Sequence, residues 1–160
     1  MSNKYLPHLH IIPEDDANRQ LANGFLLDTS KINMRQIDVL ANAGGWRNAV
    51  SKIPSSQLDR FPERRLLLLI DFDGDVASRK STILNEVPTE VRERVFLIGV
   101  SSEPEALKKA LGQLSYERIG KVLFAECADE SHLHWGDALL AHNKDELTRL
   151  KSSVKSLIFP

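Results

Sequence analysis

The chain has 160 residues, enough for one domain whose apolar core needs no disulfide or metal to stabilise it. Its 21 basic and 22 acidic residues leave a net charge of −1, which argues against strong autonomous binding to nucleic acid, because phosphate contacts usually require a basic excess. Cys127 is the only cysteine, so an intrachain disulfide is excluded and a reducing cytoplasm is the expected compartment.

Two features of the sequence argue against membrane insertion. Residues 1–7 lack the apolar core of a signal peptide. The longest apolar run, 66–70, is far too short to span a bilayer. We therefore expect a soluble, cytoplasmic protein that does not associate with a membrane.

Strand and helix patterns alternate along the chain. The first half predicts a strand over 8–12, a helix through Phe25, a strand over 36–40, a glycine turn at Gly44-Gly45 and a helix over 46–53. In the second half, a polar connection over 55–63 precedes predicted apolar strands over 66–70 and 95–100 and predicted helices over 104–111 and 116–124. An irregular loop over 127–135 and a C-terminal helix with an apolar stripe from Leu147 to Ile158 are predicted to follow. This alternation indicates parallel βαβ units, hence a single α/β domain over 1–160, with a layered, mainly parallel, Rossmann-like sheet, helices on both faces, and 140–160 as C-terminal helix and tail.

Acidic residues follow three of the predicted strands. They are Glu14 after the first strand, Asp71, Asp73 and Asp75 after the third, and Glu103 and Glu105 after the fourth. Ligands of such sheets bind beyond the carboxyl ends of the strands. Asp71 and Asp73 are two apart on a segment expected to be extended, so their side chains should leave the same face.

Carboxylates brought together repel each other unless a cation or a proton neutralises them. Mg²⁺ or Mn²⁺ suits such a set, because these ions prefer hard oxygen ligands, water and phosphate oxygens. We therefore predict a metal site formed by these six acids. Asp15 or Asp16 is instead expected to cap the helix that follows, since Asp is favoured at helix N-termini.

The spacing of these acids resembles the Toprim domain of topoisomerases, primases and OLD-type nucleases. The resemblance rests on Ile11-Ile12-Pro13-Glu14, on Leu69-Ile70-Asp71-Phe72-Asp73, on the glycine pair Gly44-Gly45, and on Glu103 and Glu105 as the extra acids of OLD-like members. It covers roughly residues 8–125, and each motif is short. It implies Mg²⁺-dependent phosphodiester chemistry, with Glu14 as metal ligand or general base and with Asp71 and Asp73 as metal ligands.

Phosphate contacts are the second expectation from this resemblance. Arg79 or Lys80, just beyond the acidic loop, could pair with phosphate, although such neighbours are more often solvated surface charges. The N–H groups of Gly44 and Gly45 could approach a phosphate, although a plain tight turn is the simpler interpretation.

Two other families share parts of the pattern. Asp71-Phe72-Asp73-Gly74 looks like the haloacid dehalogenase nucleophile motif, but Asp75 replaces the expected threonine or valine, and the motif follows the third strand rather than the first. The acidic run ending at Asp16, with a later strand-end Asp71, resembles a response-regulator receiver. Ser101 and Lys121 would then take the roles of its Ser/Thr and Lys.

Histidines offer a weaker metal hypothesis. The pairs His8-x-His10 and His132-x-His134, the second close to Cys127, lack a complete ligand set at zinc spacing. Ordinary strand and loop histidines are the favoured interpretation.

The leading hypothesis is a Mg²⁺-dependent nuclease or nuclease-like subunit. Its neutral charge suggests that a protein partner or a homo-oligomer supplies grip on nucleic acid, and the OLD-like resemblance suggests bacterial genome defence. The competing hypothesis is a regulatory or interaction module that keeps the fold and some acids but has no catalytic turnover, so whether the protein is an enzyme stays open.

Overall fold

The computed structural model describes residues 6–29 and 33–158. Four strands form one all-parallel sheet in the order β2-β1-β3-β4. Their bounds are β1 His8–Pro13, β2 Ile37–Val39, β3 Arg64–Leu69 and β4 Val95–Ile98. The predicted α/β class and its layered parallel sheet are confirmed.

Within the described residues, six α-helices connect and cover the strands. They are α1 Asp16–Leu26, α2 Trp46–Ser51, α3 Val76–Glu86, α4 Pro104–Ala110, α5 Tyr116–Asp129 and α6 Lys144–Ile158. The side chain of Asp15 accepts the backbone N–H of Asn18, so the N-cap prediction for Asp15 is confirmed.

Two helices differ from the sequence prediction by more than a few residues. Helix α3 was not predicted, because its sequence is mostly polar and only Ile83 in it is fully buried. Helix α5 runs to Asp129, so the irregular segment begins after Asp129 rather than at Cys127. Cys127 is a buried residue of that helix and contributes to the apolar core. The sequence pattern did not indicate this, because many of its neighbours in the sequence are polar.

The sheet separates two apolar cores. Leu67 of β3 belongs to the core formed with α1, α5 and α6, whereas Leu66 and Leu68 belong to the core formed with α2 and α3. Successive strand residues point to opposite faces, so a strand covered on both sides must be apolar throughout. This explains the continuous apolar run in β3.

Helices α1 and α5 touch through glycine. A Cβ placed on Gly24 would lie 1.9 Å from the carbonyl oxygen of Glu117, and one on Gly120 would lie 2.2 Å from that of Leu21. Only hydrogen atoms fit in these positions. The crossing therefore brings the two backbones together and fixes where α1 sits on the sheet.

Side chains from the C-terminal region satisfy the outer edge of β4. The side chain of Asn143 accepts the N–H of Gly99 and donates to its carbonyl, at 3.2 and 2.9 Å. Glu146 accepts the N–H of Leu97, and Arg149 donates to the carbonyl of Val95. These bonds occupy backbone groups that a further strand would need, so the described sheet ends at β4.

Across the described ranges, none of the helices is both long enough and apolar enough to cross a membrane.

Candidate functional site

The site lies where the connections of the sheet change direction. From β1 the chain moves outward to β2, and it then returns to β3 on the other side of β1. The carboxyl ends of β1 and β3 are neighbours, and such a switch point is where open α/β sheets usually bind ligands. Glu14 follows β1 and Asp71 follows β3, so the fold brings these two predicted residues together.

Glu14 joins three chain segments at this point. Its side-chain Oε2 accepts the backbone N–H of Asp71 at 2.6 Å, and its own N–H donates to the carbonyl of Leu69 at 2.8 Å. Its carbonyl accepts the N–H groups of Gly44 and Gly45 at 2.9 and 3.1 Å. Hydrogen bonds to the side chain and to the backbone of Glu14 therefore hold its carboxyl group beside Asp71.

Asp71 is buried, with 6% of its surface exposed. Its Oδ1 accepts the side-chain amide of Asn18 at 3.0 Å. That amide also donates to the cap residue Asp15, at 3.0 Å, so α1 positions the Asp71 carboxyl group through Asn18. Sequence reasoning missed Asn18, although a polar residue on the apolar face of α1, one turn before Leu21 and Ala22, was an available signal.

Burial controls the protonation of this pair. It raises the pKa of Asp71 to about 8, the Asn18 hydrogen bond opposes that shift, and the charges of Glu14 and Asp15 add to it. Burial also raises the pKa of Glu14, while the bond from the Asp71 N–H opposes this and the charges of Asp15 and Asp73 reinforce it. The two groups thus retain a proton more readily than isolated carboxyl groups, and a cation in its place would relieve the same repulsion.

Asp73 has different surroundings from Asp71. Its φ of 49° lies in the left-handed region, so the extended backbone expected through Asp73 is absent, and that expectation was wrong. The exposed carboxylate of Asp73 accepts Nη1 of Arg79 at 2.7 Å, and the same Nη1 donates to the carbonyl of Asp71 at 2.6 Å. Arg79 therefore lies directly beside the acidic pair.

The remaining predicted acids are exposed at the same edge. Asp75 and Glu103 occupy the N-cap positions of α3 and α4, where neither side chain makes a capping bond, and Glu105 lies in the first turn of α4. Tyr116, which sequence reasoning missed, lies near Glu103 and Glu105: burial raises the pKa of its phenol, and the charges of Glu105, Asp15, Asp71 and Glu103 raise it further.

No group of three or more His, Cys, Asp or Glu side chains is arranged to hold a metal within 6–29 and 33–158. Glu14 reaches Asp71 through the Asp71 backbone N–H, and the carboxyl groups of Asp15 and Asp71 share the side-chain amide of Asn18. The assignment of Asp73, Asp75, Glu103 and Glu105 as ligands stays a prediction.

The predicted phosphate-binding residues differ in whether their hydrogen-bond donors already have an acceptor. The N–H groups of Gly44 and Gly45 are used by the Glu14 carbonyl, and their φ angles of 83° and 123° are those of a tight turn that favours glycine. Lys80 lies on α3, with its Nζ 5.8 Å from the ring centroid of Phe72. Phosphate binding by these residues stays a prediction.

An aromatic side chain borders the site on the α2 side. Trp46, the first residue of α2, has the guanidinium carbons of Arg47 and Arg79 at 4.5 and 4.7 Å from its ring centroid. Neither Trp46 nor Arg47 was assigned to the site from the sequence.

His10 and His134, one from each predicted histidine pair, have carboxylate partners. His10 lies 3.6 Å from Asp38, and His134 contacts the buried carboxylate of Glu126, which also accepts the N–H groups of His134 and Trp135. Burial raises the pKa of Cys127 to about 11, so this thiol stays neutral and is a poor metal ligand.

Comparison of the chain with protein-family models, with curated proteins and with solved structures gave no match.

Proposed function

We propose that the Glu14–Asp71 pair binds Mg²⁺ or Mn²⁺ and that the domain is a Toprim-like nuclease, or a nuclease-like subunit that acts with a partner protein. The observation that carries the proposal is the position of the Glu14 carboxylate on the Asp71 N–H at the switch point, with the pKa of both carboxyl groups raised. Two carboxylates are a sufficient protein contribution for Mg²⁺, which usually keeps several waters and takes its other ligands from substrate phosphates.

Each neighbouring residue has a role in this proposal. When bound, the ion would lower the pKa of a water molecule and stabilise the leaving oxygen of a phosphodiester. Asn18 holds the Asp71 carboxyl group in place, and the backbone of Asp71 holds that of Glu14. Arg79, bonded to the Asp71 carbonyl, places a positive charge where the phosphate would lie.

Partner and setting are parts of the same proposal. A net charge of −1 gives the chain little general attraction for nucleic acid, which is why a partner or a second copy would supply most of the grip. Bacterial genome defence is the setting that the likeness to OLD-type nucleases suggests.

The test measures ion binding separately from cleavage. Mn²⁺ binding, followed by electron paramagnetic resonance, is expected for the parent protein and lost in Glu14→Gln and Asp71→Asn. Asp59→Asn, which removes an exposed carboxylate before β3 at the opposite edge of the sheet, should leave it unchanged. Metal-dependent cleavage of DNA or RNA should follow the same pattern, and a parent protein that binds no Mn²⁺ at millimolar concentration would refute the proposal.

One observation favours a second candidate, a receiver-like regulatory module. The order β2-β1-β3-β4 is the one that flavodoxin-like folds share with receiver domains, and Glu14, Asp71 and Ser101 follow β1, β3 and β4. Against it, the sheet in the described part has no fifth strand, and Lys121 is exposed on α5. Treatment with acetyl phosphate followed by mass spectrometry would detect a phosphoryl group on Asp71 in a receiver, and none in a nuclease.

A further inference from the structure

We propose that Arg47, Trp46 and Arg79 form a clamp that binds the phosphodiester backbone of single-stranded nucleic acid beside the Glu14–Asp71 pair. This inference rests on the proposed function, because it names the substrate class for the same site. It gives a binding role to Trp46 and Arg47, two residues that belong neither to the sequence motifs nor to the acidic pair.

One indole ring positions both guanidinium groups. Each guanidinium carbon lies within 5 Å of the Trp46 ring centroid. The two positive charges are therefore less than about 10 Å apart, and both contact the same indole ring. The attraction of a cation to an aromatic ring restricts long arginine side chains that would otherwise sample many rotamers. Part of the ordering cost of binding an anion is therefore met before the ligand arrives.

The two arginines retain capacity for an anion. Arg47 is exposed and has no ion pair within the described residues. Arg79 uses Nη1 for Asp71 and Asp73, whereas a guanidinium has five N–H donors, so Nε and Nη2 remain for phosphate. Among the described residues, the exposed carboxylate of Asp73 is the one ion-pair partner of Arg79, and a phosphate would add negative charge beside both guanidinium groups.

The position of the clamp connects it to the acidic pair. Arg79 donates to the carbonyl of Asp71, and Trp46 follows the glycine turn whose N–H groups bond the Glu14 carbonyl. A strand held by the clamp would therefore pass the two carboxyl groups. The combination of guanidinium groups with a half-buried aromatic ring is typical of surfaces that bind single strands, where backbone charge and an exposed base are both contacted.

The experiment uses the whole chain and a short fluorescein-labelled single-stranded DNA, with EDTA present so that no cleavage occurs. Fluorescence anisotropy is measured at several salt concentrations for the parent protein and for Arg47→Gln. The parent protein is expected to bind, and the variant about tenfold more weakly, because one charged hydrogen-bonding group is lost. The slope of log K against log salt should become shallower by about 0.7, the value for one phosphate contact with a single strand.

Two further variants separate the clamp from general electrostatics. Arg60→Gln removes an exposed arginine before β3, at the opposite edge of the sheet, and should leave both affinity and slope unchanged. Trp46→Leu keeps every charge but removes the ring, and should weaken binding by a similar factor. Circular dichroism verifies that this half-buried substitution leaves the fold intact, and exposed Arg47 provides the test that does not depend on it.

Three results would overturn the clamp: no binding by the parent protein at low salt, equal losses in Arg47→Gln and Arg60→Gln, or release of the strand by inorganic phosphate at concentrations close to those of the strand. Failure of the proposed function looks different. Strand binding that depends on Arg47, without Mn²⁺ binding at Glu14 and Asp71, removes the nuclease and leaves the clamp standing. Mn²⁺ binding without strand binding removes the clamp and leaves the metal site of the proposed nuclease standing.

Discussion

Asp71 illustrates how burial at a single residue shapes the chemistry of this site. Burial raises the pKa of its carboxyl group to about 8, the side-chain hydrogen bond from Asn18 opposes this shift, and the charges of Glu14 and Asp15 add to it. In the metal-free protein it therefore holds a proton at pH 7. A metal would have to displace that proton, so binding should strengthen as the pH rises.

The raised pKa predicts a specific pH dependence of stability. Between the ordinary value of 3.8 and about 8 the folded protein binds more protons at Asp71 than the unfolded chain, so this residue lowers the free energy of unfolding as pH rises through that interval. Asp71→Asn removes the effect. The variant should match the parent near pH 4 and exceed it at pH 8 by on the order of 5 kcal/mol, measured by urea unfolding without metal.

The difference between the two proteins isolates Asp71 from other titrating groups. Asp59→Asn, whose side chain is exposed, should show the same pH dependence as the parent. If Asp71→Asn were instead less stable than the parent at pH 8 by the same margin as at pH 5, Asp71 would be ionised in the folded protein.

At the scale of the element, α1 links packing to the site. Asn18 near its start holds the Asp71 carboxyl group, and Gly24 near its end lies against α5. A shift of the helix at the glycine contact would therefore also move Asn18. The cap at Asp15 fixes the start of the same helix, so both ends of α1 are defined by specific contacts.

Gly24→Ala should destabilise the protein by about 3 kcal/mol, because the new methyl group would meet the Glu117 carbonyl at 1.9 Å and force the helices apart. Alanine is intrinsically the better helix former by up to about 1 kcal/mol, so any loss must come from that contact. The neighbouring substitution Asn23→Ala, at an exposed position of α1, is the control and should change stability by less than about 0.5 kcal/mol. Chemical denaturation measures both, and equal effects would show that the crossing is looser than described.

At the scale of the whole molecule, the two cores share one sheet. Leu66, Leu67 and Leu68 alternate between the faces of β3, so neither core can dissolve without exposing the strand that supports the other. We expect one cooperative unfolding transition.

The two tryptophans report on the two cores separately. Trp135 is buried in the α5 and α6 core, and Trp46 packs against the α2 and α3 core. In Trp46→Phe and Trp135→Phe, the fluorescence of the remaining tryptophan should give the same urea midpoint as far-ultraviolet circular dichroism of that variant. Separate midpoints for the two signals would reveal two independently unfolding halves.

The sequence by itself determined the fold class and the edge of the sheet where chemistry is expected. Alternating apolar patterns identify strands and helices. The continuous apolar run of β3 predicts a strand buried on both faces, and helices do cover both faces. The acids Glu14 and Asp71 were found for the same reason, since strand ends are local features and parallel strands end at one edge. The prediction for Asp15 succeeded because capping depends on only four successive residues, 15–18.

Only the tertiary structure decided which groups meet. It paired Glu14 with Asp71 through a backbone N–H, gave Asp73 a left-handed φ and an ion pair with Arg79, bonded Asn18 to Asp71, and placed Arg47 over the ring of Trp46. These outcomes depend on contacts between residues far apart in the chain and on single backbone angles, neither of which leaves a periodic trace in the sequence. Desolvation, which raises the pKa of Asp71, likewise exists only once the surrounding elements have packed.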